Sequence, residues 1–197
     1  MLPMTPNMSL LDRMVLAVER VKDRLMRASA ALEAAGVPFA VADDLAVQAW
    51  VATVDASAVR NTQDVDVLLR RADLDAAAKA LEGAGFIRRR VAGIEMFLDG
   101  PEAKARDAVH IVLACEKVRP EYDATAPDVT ESEKAESQIR VLALDALVRM
   151  KLTSFRDKDR THLRDMLEVG LIDTTWVARM GPILGPRLQL LIDTPEQ

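Results

Sequence analysis

The segment Arg60-Asn-Thr-Gln-Asp64-Val-Asp66-Val-Leu-Leu holds the residues best suited to chemistry. Along a strand, side chains two positions apart share a face, so Asp64 and Asp66 project together while Val65 and Val67 face the other way. Two aligned carboxylates repel each other unless a cation sits between them. A hard divalent ion such as Mg²⁺ or Mn²⁺ accepts such oxygens and links them to substrate phosphates. A D-x-D pair alone is equally compatible with a solvated acidic face on a half-exposed strand.

Other candidates lie at a distance in the chain. AVHIVLACEKVR places His110 in an apolar run, where a third metal ligand or a general base could stand. Imidazole is a softer ligand than magnesium prefers, and a half-buried histidine with ordinary hydrogen bonds fits the same pattern. Asp107 is three residues away, and odd spacing sends it to the opposite strand face. Asp43 and Asp44 precede an apolar helical stretch, where carboxylates can cap a helix and suit its dipole but would repel a polyphosphate. Lys151 and Arg156 accompany Leu144, Leu147, Val148 and Leu152 on a helical pattern, either as a solvated face or as phosphate ligands.

Positioning these groups requires a scaffold. From Ser9, apolar residues at Leu11, Met14, Val15, Val18, Val21, Leu25, Ala28 and Leu32 keep helical spacing up to Gly36. The patterns predict strands at 37–42, 63–70, 86–91, 94–98 and 108–115, with a short one at 139–142. Helices are predicted at 45–54, 73–84, 144–156, 158–168, 174–180 and 186–193, and loops at 55–62 and 119–128. The fold class is therefore α/β (α+β): a small mixed sheet over roughly 37–115, between an N-terminal helix and a C-terminal helical bundle. The expected organisation is a flexible start at 1–8, an α/β domain at 9–142 and a helical region at 143–197 packed on it.

Composition narrows the field. The 197 residues carry 26 Lys plus Arg against 31 Asp plus Glu, a net charge of −5 that argues against a protein coating nucleic acid. Half the residues are hydrophobic, enough for a sizeable core. The uncharged run at 45–54 has ten residues, short of the about 20 a membrane helix needs. One cysteine, Cys115, excludes an internal disulfide framework, and with two distant histidines no zinc-ligand spacing exists. With no secretory signal legible at the start, the expected location is the cytoplasm.

Taken together, VPFAVADDLAVQAW, RNTQDVDVLLRR and DLDAAAKALEGAGF resemble the minimal nucleotidyltransferase fold, the superfamily of DNA polymerase beta and of bacterial AbiEii-type toxins. In that family a strand passes through a Gly-Gly or Gly-Ser turn into a helix. An R-x-T-x-D-h-D strand follows (h is hydrophobic), and then a helix ending in a G-F pair. Arg60, Thr62, Asp64, Asp66, Gly85 and Phe86 match, and LDALVRMKLTSFRDKDRTHLRDMLEVGLID looks like the helical region of bacterial members. The resemblance covers roughly 30–175. It implies Mg²⁺ or Mn²⁺ on Asp64, Asp66 and His110, a turn organised by Arg60 and Thr62, and Lys151 reaching toward phosphates. Two positions depart from the family: Asp43-Asp44 replaces the glycine turn, and His110 stands where a third Asp is usual.

Two functions remain open. One is an enzyme, expected to be weak, moving a nucleotidyl group from an NTP to a hydroxyl or phosphate on RNA or protein. The other is an inactive descendant of the fold serving as a binding or regulatory module, as in a toxin–antitoxin pair.

Overall fold

The computed structural model describes residues 8–135 and 139–195. All of the expected flexible start except Met8 lies outside these residues. Helix α1 (Leu10–Ala34) leads into strand β1 (Phe39–Ala42), helix α2 (Asp43–Ala52), strand β2 (Val65–Leu69) and helix α3 (Leu74–Gly83). A hairpin of β3 (Ile87–Val91) and β4 (Ile94–Leu98) precedes β5 (Ala108–Leu113), β6 (Ser132–Lys134) and β7 (Arg140–Leu142). The chain ends in α4 (Leu144–Ser154), α5 (Asp157–Glu168), the single turn α6 (Trp176–Arg179) and α7 (Gly181–Asp193).

The strands form one mixed sheet of order β3-β4-β5-β2-β1-β7-β6. Strand β2 pairs antiparallel with β1 and parallel with β5, so it lies near the centre. That position explains its sequence: Val65, Val67, Leu68 and Leu69 are all buried, as are all four residues of β1. Helix α1 buries Val21, Ala28 and Leu32 and packs with α3 against the central strands, while α4, α5 and α7 form the C-terminal bundle beside α2. The edge strand β3 carries Arg88, Arg89 and Arg90, a charged edge that discourages further strand pairing.

The sheet extends further than 37–115. Strand β6, which the sequence reading placed in no element, pairs antiparallel with β7, and β7 pairs parallel with β1. Ser132-Glu-Lys has no apolar alternation to announce it, and its pairing is made by the backbone. Helix α7 begins five residues before the predicted start. Pro186 lies inside it, and Gly185 permits close packing, since a Cβ there would come within 2.5 Å of the Val177 carbonyl oxygen.

Candidate active site

The site forms where β1 ends. Ala42 is the register partner of Asp66, and the next residue, Asp43, turns the chain directly into α2 with φ of 51°. This left-handed conformation is one that glycine adopts without strain, and Asp is among the few other residues that tolerate it. The predicted capping role of Asp43 and Asp44 is corrected: Ala42 is the N-cap and no side chain caps the helix. Both carboxylates instead turn toward lysines brought in by the C-terminal helices.

Asp66 and His110 are register partners on β2 and β5, with Oδ1 4.0 Å from Nδ1. Asp64 stands one residue before β2, and its amide donates to Thr62 Oγ1 at 3.2 Å. The same hydroxyl donates to Asp44 Oδ2 at 2.8 Å, tying the start of α2 to the entry of β2. Arg60 anchors the preceding loop by donating from Nε at 2.7 Å and Nη2 at 3.0 Å to Asp165 of α5. Buried Arg24 of α1 braces the loop from the other side, donating from Nη1 to the Gln63 carbonyl at 3.2 Å.

Lys151 does not present its ammonium to solvent. It is 1% exposed and donates to Asp43 Oδ1, to Asp159 Oδ1 at 3.1 Å and to His162 Nδ1 at 2.9 Å. An ammonium has three donors, and these contacts use all of them. Asp43, Asp159 and His162 could by spacing hold a metal, but the cation among them is Lys151. His162, one of the two histidines of the chain, thus belongs to the site. Its signal is weak: it lies eleven positions after Lys151 on the next helix.

Two more exposed cations complete the constellation. Lys158 Nζ lies 2.6 Å from Asp44 Oδ2 and 3.4 Å from Asp64 Oδ2. Arg156 donates from Nε to Asp159 Oδ2 at 2.8 Å, with Nη2 3.7 Å from Asp43. Asp44 is 4% exposed, and its Oδ1 has no hydrogen-bond partner among the described residues, although Lys151 Nζ and His162 Nδ1 each lie 3.6 Å away.

The electrostatics differ across the cluster. Burial, reinforced by the charges of Asp43, Asp64 and Asp44, pushes the Asp66 carboxyl up to about 8. Burial also pushes Asp44 upward, but the Lys158 hydrogen bond and the Lys151 and Lys158 charges outweigh it and hold Asp44 below the usual carboxylate range. His162 is pushed below the ordinary imidazole value by burial and by Lys151, so it accepts from the ammonium as a neutral ring. Asp66 is thus an acid whose ionised form its surroundings disfavour.

Asp66 and His110 open into a cleft of about 520 Å³, lined also by Ile94, Tyr122, Met150 and Arg156. The carboxylate oxygens of Asp66 in the cleft and of nearby Asp64 suit a hard divalent cation, which would favour the ionised form of Asp66 that burial disfavours. No helix among the described residues is long and apolar enough to cross a membrane.

The chain matches no protein-family model and no curated protein sequence. Its fold is similar to solved structures of ANT(2'')-Ia. The solution structure of that antibiotic-resistance factor aligns with a TM-score of 0.53 at 11% identity, covering 94% of this chain and 96% of the other. The crystal structure of ANT(2'')-Ia in complex with adenylyl-2''-tobramycin aligns with a TM-score of 0.54 at 10% identity, covering 88% and 99%. At this identity the likeness is one of architecture, and it establishes that the chain has a nucleotidyltransferase-like fold.

Proposed function

We propose that the chain is a metal-dependent nucleotidyltransferase that moves a nucleotidyl group from an NTP to an acceptor hydroxyl. The observation that carries this reading is the pairing of Asp66 with His110 on the wall of a 520 Å³ cleft, with Asp64 two residues before Asp66, in a fold similar to that of ANT(2'')-Ia. Asp64 and Asp66 would hold Mg²⁺ or Mn²⁺, which supplies charge neutralisation for the triphosphate. The acceptor oxygen bonds to the α-phosphorus as the bond to the departing pyrophosphate breaks. His110 takes the hydroxyl proton or completes the ligand set. Arg156, half exposed on the cleft wall, and Lys158, half exposed beside Asp64, offset phosphate charge, whereas the donors of Lys151 are already engaged.

The adenylyl-2''-tobramycin held in the ANT(2'')-Ia crystal structure supports a small-molecule hydroxyl as acceptor. Nothing in the cleft favours an RNA or protein hydroxyl over it. Activity is expected to be weak, because carboxylates occupy the place of the glycine turn and each altered electrostatic contact costs on the order of a hundredfold in rate. Incubation with labelled NTPs, Mn²⁺ and a panel of hydroxylic acceptors tests the reading. Transfer lost in Asp64→Ala supports it, and transfer surviving that substitution removes the assigned site.

A second reading is favoured by the saturated Lys151: a non-catalytic binding module of the same fold, as in a toxin–antitoxin pair. It predicts nucleotide binding without transfer, or neither.

A further inference from the structure

Among the described residues, Lys158 is the one cation that touches both Asp44 at the start of α2 and Asp64 just before β2. Its Nζ lies 2.6 Å from Asp44 Oδ2 and 3.4 Å from Asp64 Oδ2, and its side chain is 44% exposed. Lys151, by contrast, is enclosed and fully hydrogen-bonded, so it cannot leave without dismantling the junction of α2, α4 and α5. The partners of Lys158 are held in place independently of it. Asp44 accepts from Thr62, and Asp64 is fixed through its amide to the same hydroxyl. The remaining oxygen of Asp44 is buried, 3.6 Å from Lys151 Nζ and 3.6 Å from His162 Nδ1, so Asp44 keeps a cationic neighbour when Lys158 leaves.

We infer that Lys158 is the resident counter-ion of this site, bridging Asp44 and Asp64 whenever no divalent ion is bound. Metal loading is then an exchange in which a flexible ammonium swings away as the ion arrives. The consequence is a metal affinity set lower than the four clustered carboxylates would otherwise give. Lys158 therefore acts as a positioning residue that governs when the acidic pair accepts a metal. This inference rests on the metal-dependent reading above, but its test needs no catalysis.

The test is Mn²⁺ binding to the full chain without nucleotide, followed by titration calorimetry and by the electron-spin-resonance signal of free Mn²⁺. Lys158→Met should tighten Mn²⁺ binding by roughly tenfold, the size expected for removing one near-surface charge that competes with the ion. Lys158→Arg should restore the wild-type value. A melting curve for each variant verifies that the fold is retained, as the half-exposed position leads one to expect. Equal or weaker binding in Lys158→Met overturns the inference and leaves nucleotidyl transfer standing. Absence of Mn²⁺ binding from both proteins removes the metal site itself, and the counter-ion role with it.

Discussion

Asp66 faces His110 across neighbouring parallel strands, with its carboxylate oxygen 4.0 Å from the ring nitrogen, and on its other side it meets the last residue of β1. It is thus wedged between an imidazole and the two acids that open α2. Burial and like charge make its ionised form costly to the fold. Asp66→Asn should therefore raise the melting temperature while abolishing Mn²⁺-dependent nucleotide binding. Stability gained as binding is lost marks a residue kept for function. A lower melting temperature with binding intact would place Asp66 in the scaffold instead.

The same carboxyl makes a pH prediction with a definite sign. Its folded value of about 8 lies above the ordinary 3.8, so between these limits the folded state holds a proton that the unfolded state has released. Stability from this group is present at low pH and declines as pH rises through that window. Metal-free wild type should lose melting temperature between about pH 5 and pH 8 relative to Asp66→Asn, and added Mn²⁺ should close the gap. Parallel curves for the two proteins would show that Asp66 does not titrate in this range.

How much of this the sequence disclosed depends on how local each relationship is. The shared face of Asp64 and Asp66 follows from strand periodicity, and the apolar residues around His110 made β5 legible. The Lys151 cage was not legible, because its partners lie 108, 8 and 11 positions away and meet only when α4 and α5 pack beside α2. Residue type also misled at Asp43: an acid before an apolar helix reads as a cap, yet its left-handed backbone places it inside the first turn. Strand β6 failed for a different reason, since backbone pairing to β7 leaves no periodic mark on Ser132-Glu-Lys.

Lys151→Met should be among the most damaging single substitutions. It leaves Asp43, Asp44 and the fully buried Asp159 without the ammonium that offsets them. Breaking a buried pair by removing one partner costs about 3–5 kcal/mol. Denaturant unfolding should show that loss, against about 1 kcal/mol or less for Lys158→Met at its half-exposed position. Equal small losses in both would show that the cage contributes little to the fold.

His162 gives a pH dependence of opposite sign to Asp66. Burial and the Lys151 charge hold its ring below the ordinary 6.5, so on acidification the unfolded state takes up a proton first. The stability His162 provides is thus present above that ordinary value and is lost as pH falls below it. His162→Gln should flatten this limb of the stability profile. A wild-type profile unaffected by the substitution below about pH 6.5 would mean that the ring is already charged in the fold.

The left-handed backbone at Asp43 can be tested by placing a glycine there. Glycine accepts φ of 51° without the strain a side chain incurs, so Asp43→Gly relieves the backbone of α2's first turn. It also releases one donor of Lys151 and removes a negative charge from a helix N-terminus, an arrangement suited to phosphate. With screening, one such charge is worth about 1 kcal/mol to a nearby triphosphate, or roughly fivefold in affinity. Mg²⁺–ATP should therefore bind about fivefold more tightly to Asp43→Gly in calorimetric titration. Asp43→Asn separates the two causes, since it removes the charge and keeps a side chain in the left-handed position. An intermediate gain in Asp43→Asn would show that charge and backbone both contribute. Unchanged affinity in both variants would mean that the nucleotide does not approach the start of α2.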